Sequence, residues 1–433
     1  MNVHSFLDTN IQHRYDWTAK GLAPAWDGCT AREIGATALR LFDDQLLLPA
    51  AILKRSVMDR NRAWMRRFLT LTAAKLAPHG KTTLSPELFQ LQIEDGAWAI
   101  TAATAHHVRV YRRFGVARIF MANQLIGAGN IAFVADEMHR DRDFEFYCLV
   151  DSVAGVEHLH DALARRPLQR PMQVLVEVGR SGGRCGVRSI DEGLAVARAV
   201  GARRSHLALV GIETFEGIGQ SAPNAPARAQ LMLDSVVALA EACAGEELFA
   251  TSQILLSAGG SAFFDLAAAT LARSALRERA QVVLRSGCYI THDDGLYARL
   301  FSELRERVRN VDTLGPGLAG ALQVWAHVQS MPEPGRMICA LGRRDIGADS
   351  GQPQPLAWAR RGDRAERALP AGFAVAELYD QHAILTTPPA HDVQIGDMLG
   401  FGVSHPCTTF DKWRTILVVD DEYVVRDVVR TYF

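Results

Sequence analysis

The spacing of hydrophobic positions changes character near Thr291. From about Leu46 to Tyr289, short apolar runs of the kind that make buried strands alternate with longer segments of helical period. The strand candidates are Ile119 to Ala122, Glu145 to Val150, Gln173 to Val178, His206 to Val210, Ile254 to Ser257 and Gln281 to Leu284. The helix candidates include Val57 to Ala77, Thr104 to Phe114, Val153 to Ala164, Ile190 to Val200 and Ala227 to Ala244. Strands that are mostly followed by helices call for a parallel sheet, and about 250 residues of this alternation favour a closed (β/α)8 barrel over an open sheet. Beyond Thr291 the helical period fades. Leu318 to Ser330, Met337 to Ala340, Ala374 to Leu378, Ala383 to Thr386 and Met398 to Val403 sit between Gly, Pro and Asp turns, as in a smaller β domain. Asp345 to Arg367, rich in Gly, Pro and charge, reads as a surface excursion inside that domain. The expected class is α/β, with a barrel over 46–294 and a mostly β domain built from 1–45 and 295–433.

Composition narrows the chemistry. The 433 residues are 48% hydrophobic and 22% charged with a formal net charge of -1, which excludes disordered, fibrous and disulfide-scaffold chains. Balanced charge gives no electrostatic reason for a nucleic acid or an anionic membrane as partner, and leaves a small molecule. Cys29, Cys148, Cys185, Cys243, Cys288, Cys339 and Cys407 are odd in number and form no CxxC pair. That usage points to a reducing, cytoplasmic setting. Met1 to Asp8 lacks the pattern of a secretory leader. The longest apolar runs, such as Ile416 to Val419 and Ile131 to Ala135, fall far below the roughly 18 residues that a spanning helix needs.

Several segments at predicted strand ends carry candidate chemistry. In Pro78-His79-Gly80-Lys81-Thr82 a lysine follows a short strand at the mouth of the barrel, where partial desolvation would suit Schiff-base formation; a solvated loop lysine has the same local sequence. Ser257-Ala258-Gly259-Gly260-Ser261 and Arg285-Ser286-Gly287-Cys288-Tyr289 follow neighbouring strands. They suit a phosphate cradle, since glycine lets backbone N–H groups approach closely, and read equally as plain turns. A lysine opposite such a cradle suggests pyridoxal phosphate. Arg184, in the glycine-dense run Glu177 to Val187, either reaches inward against a pyridine nitrogen or stays on the surface. His405 and Cys407 follow the strand Gly400 to Val403; if the chain stays extended they share a side, as a zinc-like ion requires, and otherwise they are a strand-end His and a buried Cys. His106-His107 reads as a solvated pair on its helix. Ile416-Leu-Val-Val-Asp-Asp-Glu422 imitates the opening of a phospho-acceptor domain, but too little chain follows it. It is better read as a final strand and turn.

Taken together, Pro78 to Thr82, Arg184-Cys-Gly-Val187, Ser257 to Ser261, Arg285 to His292 and His405-Pro-Cys-Thr-Thr-Phe-Asp-Lys-Trp413 resemble the D-serine dehydratase and D-threonine aldolase family, fold-type III pyridoxal phosphate enzymes related to alanine racemase. The resemblance runs from about Leu46 to Phe433. It implies that Lys81 holds the cofactor, with His79 beside it in the motif, and that Arg184 faces the pyridine nitrogen. It also implies a phosphate site at Gly259, Gly260, Ser261, Gly287, Cys288 and Tyr289, and a divalent metal, zinc before manganese, on His405 and Cys407. The implied reaction is dehydration of a D-β-hydroxy amino acid, D-serine to pyruvate and ammonia above all: the freed Lys81 takes the α-proton and the metal assists departure of the β-hydroxyl. The aldolases carry His-x-Asp in place of His-x-Cys, so Cys407 tilts the choice toward elimination and away from retro-aldol cleavage to glycine and an aldehyde. Phe215 stands where many relatives have Tyr, which puts substrate preference in question. Family members are dimers in which one chain's β domain completes the other's site, so a homodimer is expected.

Overall fold

The computed structural model describes residues 12–217, 222, 224–308 and 311–433, so the amino-terminal stretch Met1 to Asp8 lies outside the described residues. The chain forms two compact units. One comprises Arg66–Lys81 and Gln92–Gly287, the other Met1–Met65, Thr82–Leu91 and Cys288–Phe433. Strand β1 (Ala50–Lys54) falls inside the span 46–294 but pairs in the mixed sheet of the second unit, antiparallel to one neighbour and parallel to the other. Its sequence, Ala-Ala-Ile-Leu-Lys, is buried almost throughout. Such a run does not reveal which sheet will take it.

The first unit is a parallel eight-stranded sheet. Its strands are β2 (Lys75–Leu76), β3 (Ile100–Ala102), β4 (Arg118–Gln124), β5 (Glu145–Val150), β6 (Met172–Val178), β7 (Leu207–Thr214), β8 (Ile254–Ala258) and β9 (Ala280–Leu284), in the order 2-9-8-7-6-5-4-3. The two ends meet just past β2. His79 bridges Thr101 in parallel, Trp98 N donates to Leu76 O at 2.7 Å, and Thr101 N donates to Pro78 O at 2.9 Å. This closes the expected barrel. Its interior is packed by Ala77, Phe120, Tyr147, Leu149, Leu175, Val210, Leu255 and Val283. Several outer helices start on hydroxyl caps: Thr104, Ser152 and Ser189 each accept from a backbone N–H three residues on. The helix expected over Val57 to Ala77 is shorter, Arg55–Thr72, because Ala73 turns with φ +55° and the chain re-emerges as β2.

The second unit holds a ten-stranded sheet with the core path β13-β12-β16-β10-β1-β17-β18. Here β10 is Leu322–Glu333, β11 Arg336–Cys339, β12 Gln354–Ala359, β13 Arg367–Ala368, β14 Ala374–Leu378, β15 Ala383–Thr386, β16 Met398–Gly402, β17 Thr415–Val419 and β18 Val425–Arg430. Two expectations need correction. The supposed excursion Asp345 to Arg367 contains β12, whose Ala357 and Trp358 are buried against β16. The stretch after Thr291 contains a helix, Leu296–Arg307, with Leu296, Leu300 and Leu304 buried at helical spacing. Trp325, Phe42 and Tyr423 fill the core, with ring centroids 4.6–5.5 Å apart.

Glu87, on the helix Pro86–Glu94, accepts from Ser85 Oγ at 3.0 Å and from Arg430 N at 3.2 Å. Burial pushes its pKa from 4.5 up to about 7. Between those values the folded chain keeps a proton that the unfolded chain releases, so this group makes stability fall as pH rises through the window. Glu87→Gln keeps an acceptor there and is expected to remove that slope and to raise the melting temperature at pH 8; melts from pH 5 to pH 8 check it.

Candidate active site

Each barrel strand points alternate residues inward, and two positions beyond the apolar interior residues the polar ones begin. Leu175 is followed by Glu177, Leu255 by Ser257, Val283 by Arg285 and Ala77 by His79. This polar layer lies at the carboxyl ends of the strands, where barrels of this kind carry their chemistry. Arg285 is its centre. The residue is 3% exposed, and its guanidinium lies 2.5 Å from Glu213, donates to Ser257 Oγ at 2.6 Å and to Thr214 O at 3.0 Å, and covers the Phe120 ring. Burial pushes the pKa of Glu213 up to about 7, against the opposing pull of Arg285; burial also raises Glu177 and Glu216.

The sequence-predicted residues sort around this layer. Lys81 lies in a single helical turn, Gly80–Thr82, just after β2 and the His79 bridge; its side chain is exposed, where partial desolvation on a strand was expected. His79 has a buried Nδ1 with no hydrogen-bond partner among the described residues. Burial, then the Lys81 and Arg285 cations, hold its pKa well below the usual imidazole range. Gly287 must lack a Cβ, since one would sit 2.4 Å from the His79 carbonyl oxygen; at Gly260 it would sit 2.5 Å from Glu216 Oε1. Gly259 N, expected to face a phosphate, donates to Thr214 O and to Glu216 Oε2, both at 3.1 Å. Ser261 is half-buried beside them, and Ser286 Oγ donates to Gly260 O at 2.6 Å. Arg184 is exposed and stacks on Phe215 at 4.5 Å, a cation–π contact. Asp151, Glu177 and Cys185 bring ligand atoms within 4.8 Å of one another, but Gly186 N already donates to Asp151 and Gln124 to Glu177.

His107 belongs to this layer, unlike His106. It is half-buried, its Nδ1 accepts from Ala103 N at 3.2 Å, and burial with the His106 and Lys81 charges lowers its pKa to about 4. The two histidines part company because helical geometry turns adjacent residues about 100° apart.

In the second unit His405 and Cys407 do come together, though not on an extended strand. Pro406 is already helical and Cys407–Phe410 forms a short helix, so a turn brings the two side chains together where a pleat was expected. Cys288, assigned above to the phosphate site, has its side chain here. The ligand atoms of Cys288, His405 and Cys407 all lie within 4.8 Å of one another. The two sulfurs are 4.0 Å apart and Thr82 Oγ1 is 3.6 Å from each. The second thiol, then burial, keep the Cys288 proton on well above the ordinary range, which coordination to a divalent cation reverses. Tyr289 is buried in the turn Cys288–Ile290. His405 Nδ1 is buried with no hydrogen-bond partner among the described residues.

These donor sets fit the two groups that the resemblance implies. Two sulfurs and an imidazole nitrogen are borderline-soft ligands of the kind zinc takes. Lys81, two residues from His79, with buried polar atoms left without partners at His79 Nδ1, Glu213 Oε1 and Arg285 Nε, fits a polar aldehyde cofactor.

Comparison with known proteins agrees with this architecture. Residues 59–274 match the family model "Alanine racemase, N-terminal domain" and residues 321–419 match "Putative serine dehydratase domain". The fold is thus that of the alanine racemase-like proteins. Within that class the second match sets after the barrel a domain similar to the putative serine dehydratase domain. A D-threonine aldolase from Arthrobacter sp is 24% identical over 385 residues, which is 88% of this chain and 90% of the relative. The solved D-threonine aldolase from Filomicrobium marinum superposes with a TM-score of 0.73 at 21% identity, covering 89% of this chain and 95% of that one. D-threo-3-hydroxyaspartate dehydratase from Delftia sp. HT23 gives 0.68 at 20% identity, covering 89% and 97%.

Proposed function

We propose that the chain is a pyridoxal phosphate-dependent, metal-assisted lyase that dehydrates a D-β-hydroxy amino acid, D-serine to pyruvate and ammonia. The observation that carries this reading is the convergence of His405 and Cys407 into one ligand group. Lys81 would hold the cofactor, and the glycine turns at Gly260 and Gly287 would face its phosphate. When bound, the two groups supply an electron sink at the α-carbon and Lewis acidity at the β-oxygen. The remaining work falls to side chains of this chain. Lys81, exposed at the barrel mouth, would take the α-proton through its Nζ. His79, kept neutral by burial and by its cationic neighbours, can accept or donate a hydrogen bond but brings no further charge.

A second reading, retro-aldol cleavage, is favoured by the names of the Arthrobacter and Filomicrobium relatives. Incubation with D-serine and D-threonine separates the two. Dehydration is expected to give ammonia with pyruvate or 2-oxobutyrate, whereas glycine and acetaldehyde from D-threonine without ammonia would sink the dehydratase reading. The proposal extends to a cytoplasmic homodimer acting on a free amino acid, with neither nucleic acid nor membrane as partner. Among the described residues no helix is long and apolar enough to cross a membrane.

A further inference from the structure

We infer that Cys288 is a third protein ligand of the metal, so that the site is Cys2His with one open position. The inference rests on the metal-assisted reading for the cation's purpose but not for the ligand count. Three observations carry it. The ligand atoms of Cys288, His405 and Cys407 are mutually within 4.8 Å, so a single ion can reach all three. The sulfurs stand 4.0 Å apart. That is far beyond the roughly 2.05 Å of a disulfide, and close to the separation of about 3.8 Å that two bonds of about 2.3 Å impose at a tetrahedral zinc. Finally, His405 Nδ1 is buried with no hydrogen-bond partner among the described residues.

Thr82 completes the arrangement. Its hydroxyl is equidistant from both sulfurs, at 3.6 Å, and has one proton to offer. It can therefore steady one thiolate without competing for the ion, as outer-shell hydrogen-bond partners of metal sites do.

The ligand count has chemical consequences. His405 and Cys407 alone leave two tetrahedral positions open, enough for a substrate to chelate. With Cys288 added, one position remains and the substrate is held through a single oxygen, the β-hydroxyl in the reading above. Two thiolates also cancel the formal charge of a divalent ion and favour zinc over the oxygen-seeking manganese. The site is thereby a zinc site that polarises one oxygen and rewards chelating substrates little.

X-ray absorption at the zinc edge of the cofactor-loaded, zinc-loaded protein counts the sulfurs directly, with no assay of turnover. Two sulfurs per zinc at about 2.3 Å are expected, falling to one in Cys288→Ala. The variant's zinc affinity is expected to fall by more than the roughly 10–100-fold that loss of an outer-shell partner costs. One sulfur in the unsubstituted protein, or no zinc bound at all, overturns the inference, and the first of these needs no variant to fold. A count of one leaves the lyase reading intact. Failure to turn over D-serine or D-threonine leaves a count of two intact, so the two claims fail separately.

Discussion

Replacing Arg285 by methionine is expected to destabilise the fold by roughly 3–5 kcal/mol at pH 8, the range seen when one partner of a buried ion pair is removed. Arg285 is the cation that faces Glu213 and also bears on Glu177 and Glu216, all of them buried. Without it those carboxyls must either stay ionised in a poor solvent or bind protons against the pH. The loss should shrink at pH 5. Glu213, already pushed up to about 7 by burial, is protonated there and has little need of a counter-charge. The double variant Arg285→Met with Glu213→Gln should recover much of the stability at pH 8. Urea melts of the two proteins at both pH values check this; a single variant within about 1 kcal/mol of the parent would remove Arg285 from the centre of the polar layer.

Lys81→Ala is expected to abolish the Schiff-base absorbance and to lower turnover of D-serine by about 10³-fold or more. In the proposed reaction one amine would do two jobs, anchoring the cofactor and moving the α-proton, and proton transfer by a positioned group alone contributes roughly 10²–10⁴-fold. Absorbance spectra and turnover on the same preparation separate the effects. A retained band would place the cofactor on another amine.

Much of the barrel was legible because its strands are short apolar runs closed by hydroxyl-capped helices. Glu145–Val150 coincides with the expected strand, and Ile190–Gly201 differs from the expected helix by one residue. Legibility failed where local pattern and tertiary partner disagree. Ala50–Lys54 is apolar enough for either sheet, and only its pairing with β10 and β17 decides. Lys75–Leu76 is too short to leave a period of its own beside an 18-residue helix. The helix Leu296–Arg307 did leave one, in Leu296, Leu300 and Leu304, and was hidden by the Gly- and Asp-rich approach to it.

The site divides the same way. Lys81, His405 and Cys407 stand out by motif, whereas Arg285 and Glu213 look like strand-end charges. A two-residue step from the inward apolar positions would have found Arg285, since Val283 packs the barrel interior. Cys288 could not be read as a partner of Cys407, because no spacing rule spans the chain between them. That proximity belongs to the fold alone.

The seam where the barrel shuts ties the solubility of this protein to the position of one side chain. A closed barrel exposes no strand edge to other chains, and the stretch that shuts this one, Leu76 to Thr101, includes Lys81. A substitution that loosens the joint would misplace the amine and at the same moment uncover two unpaired backbone edges. In the proposed reaction, loss of catalysis and gain of stickiness would then arrive together, because one joint both shuts the sheet and positions the lysine.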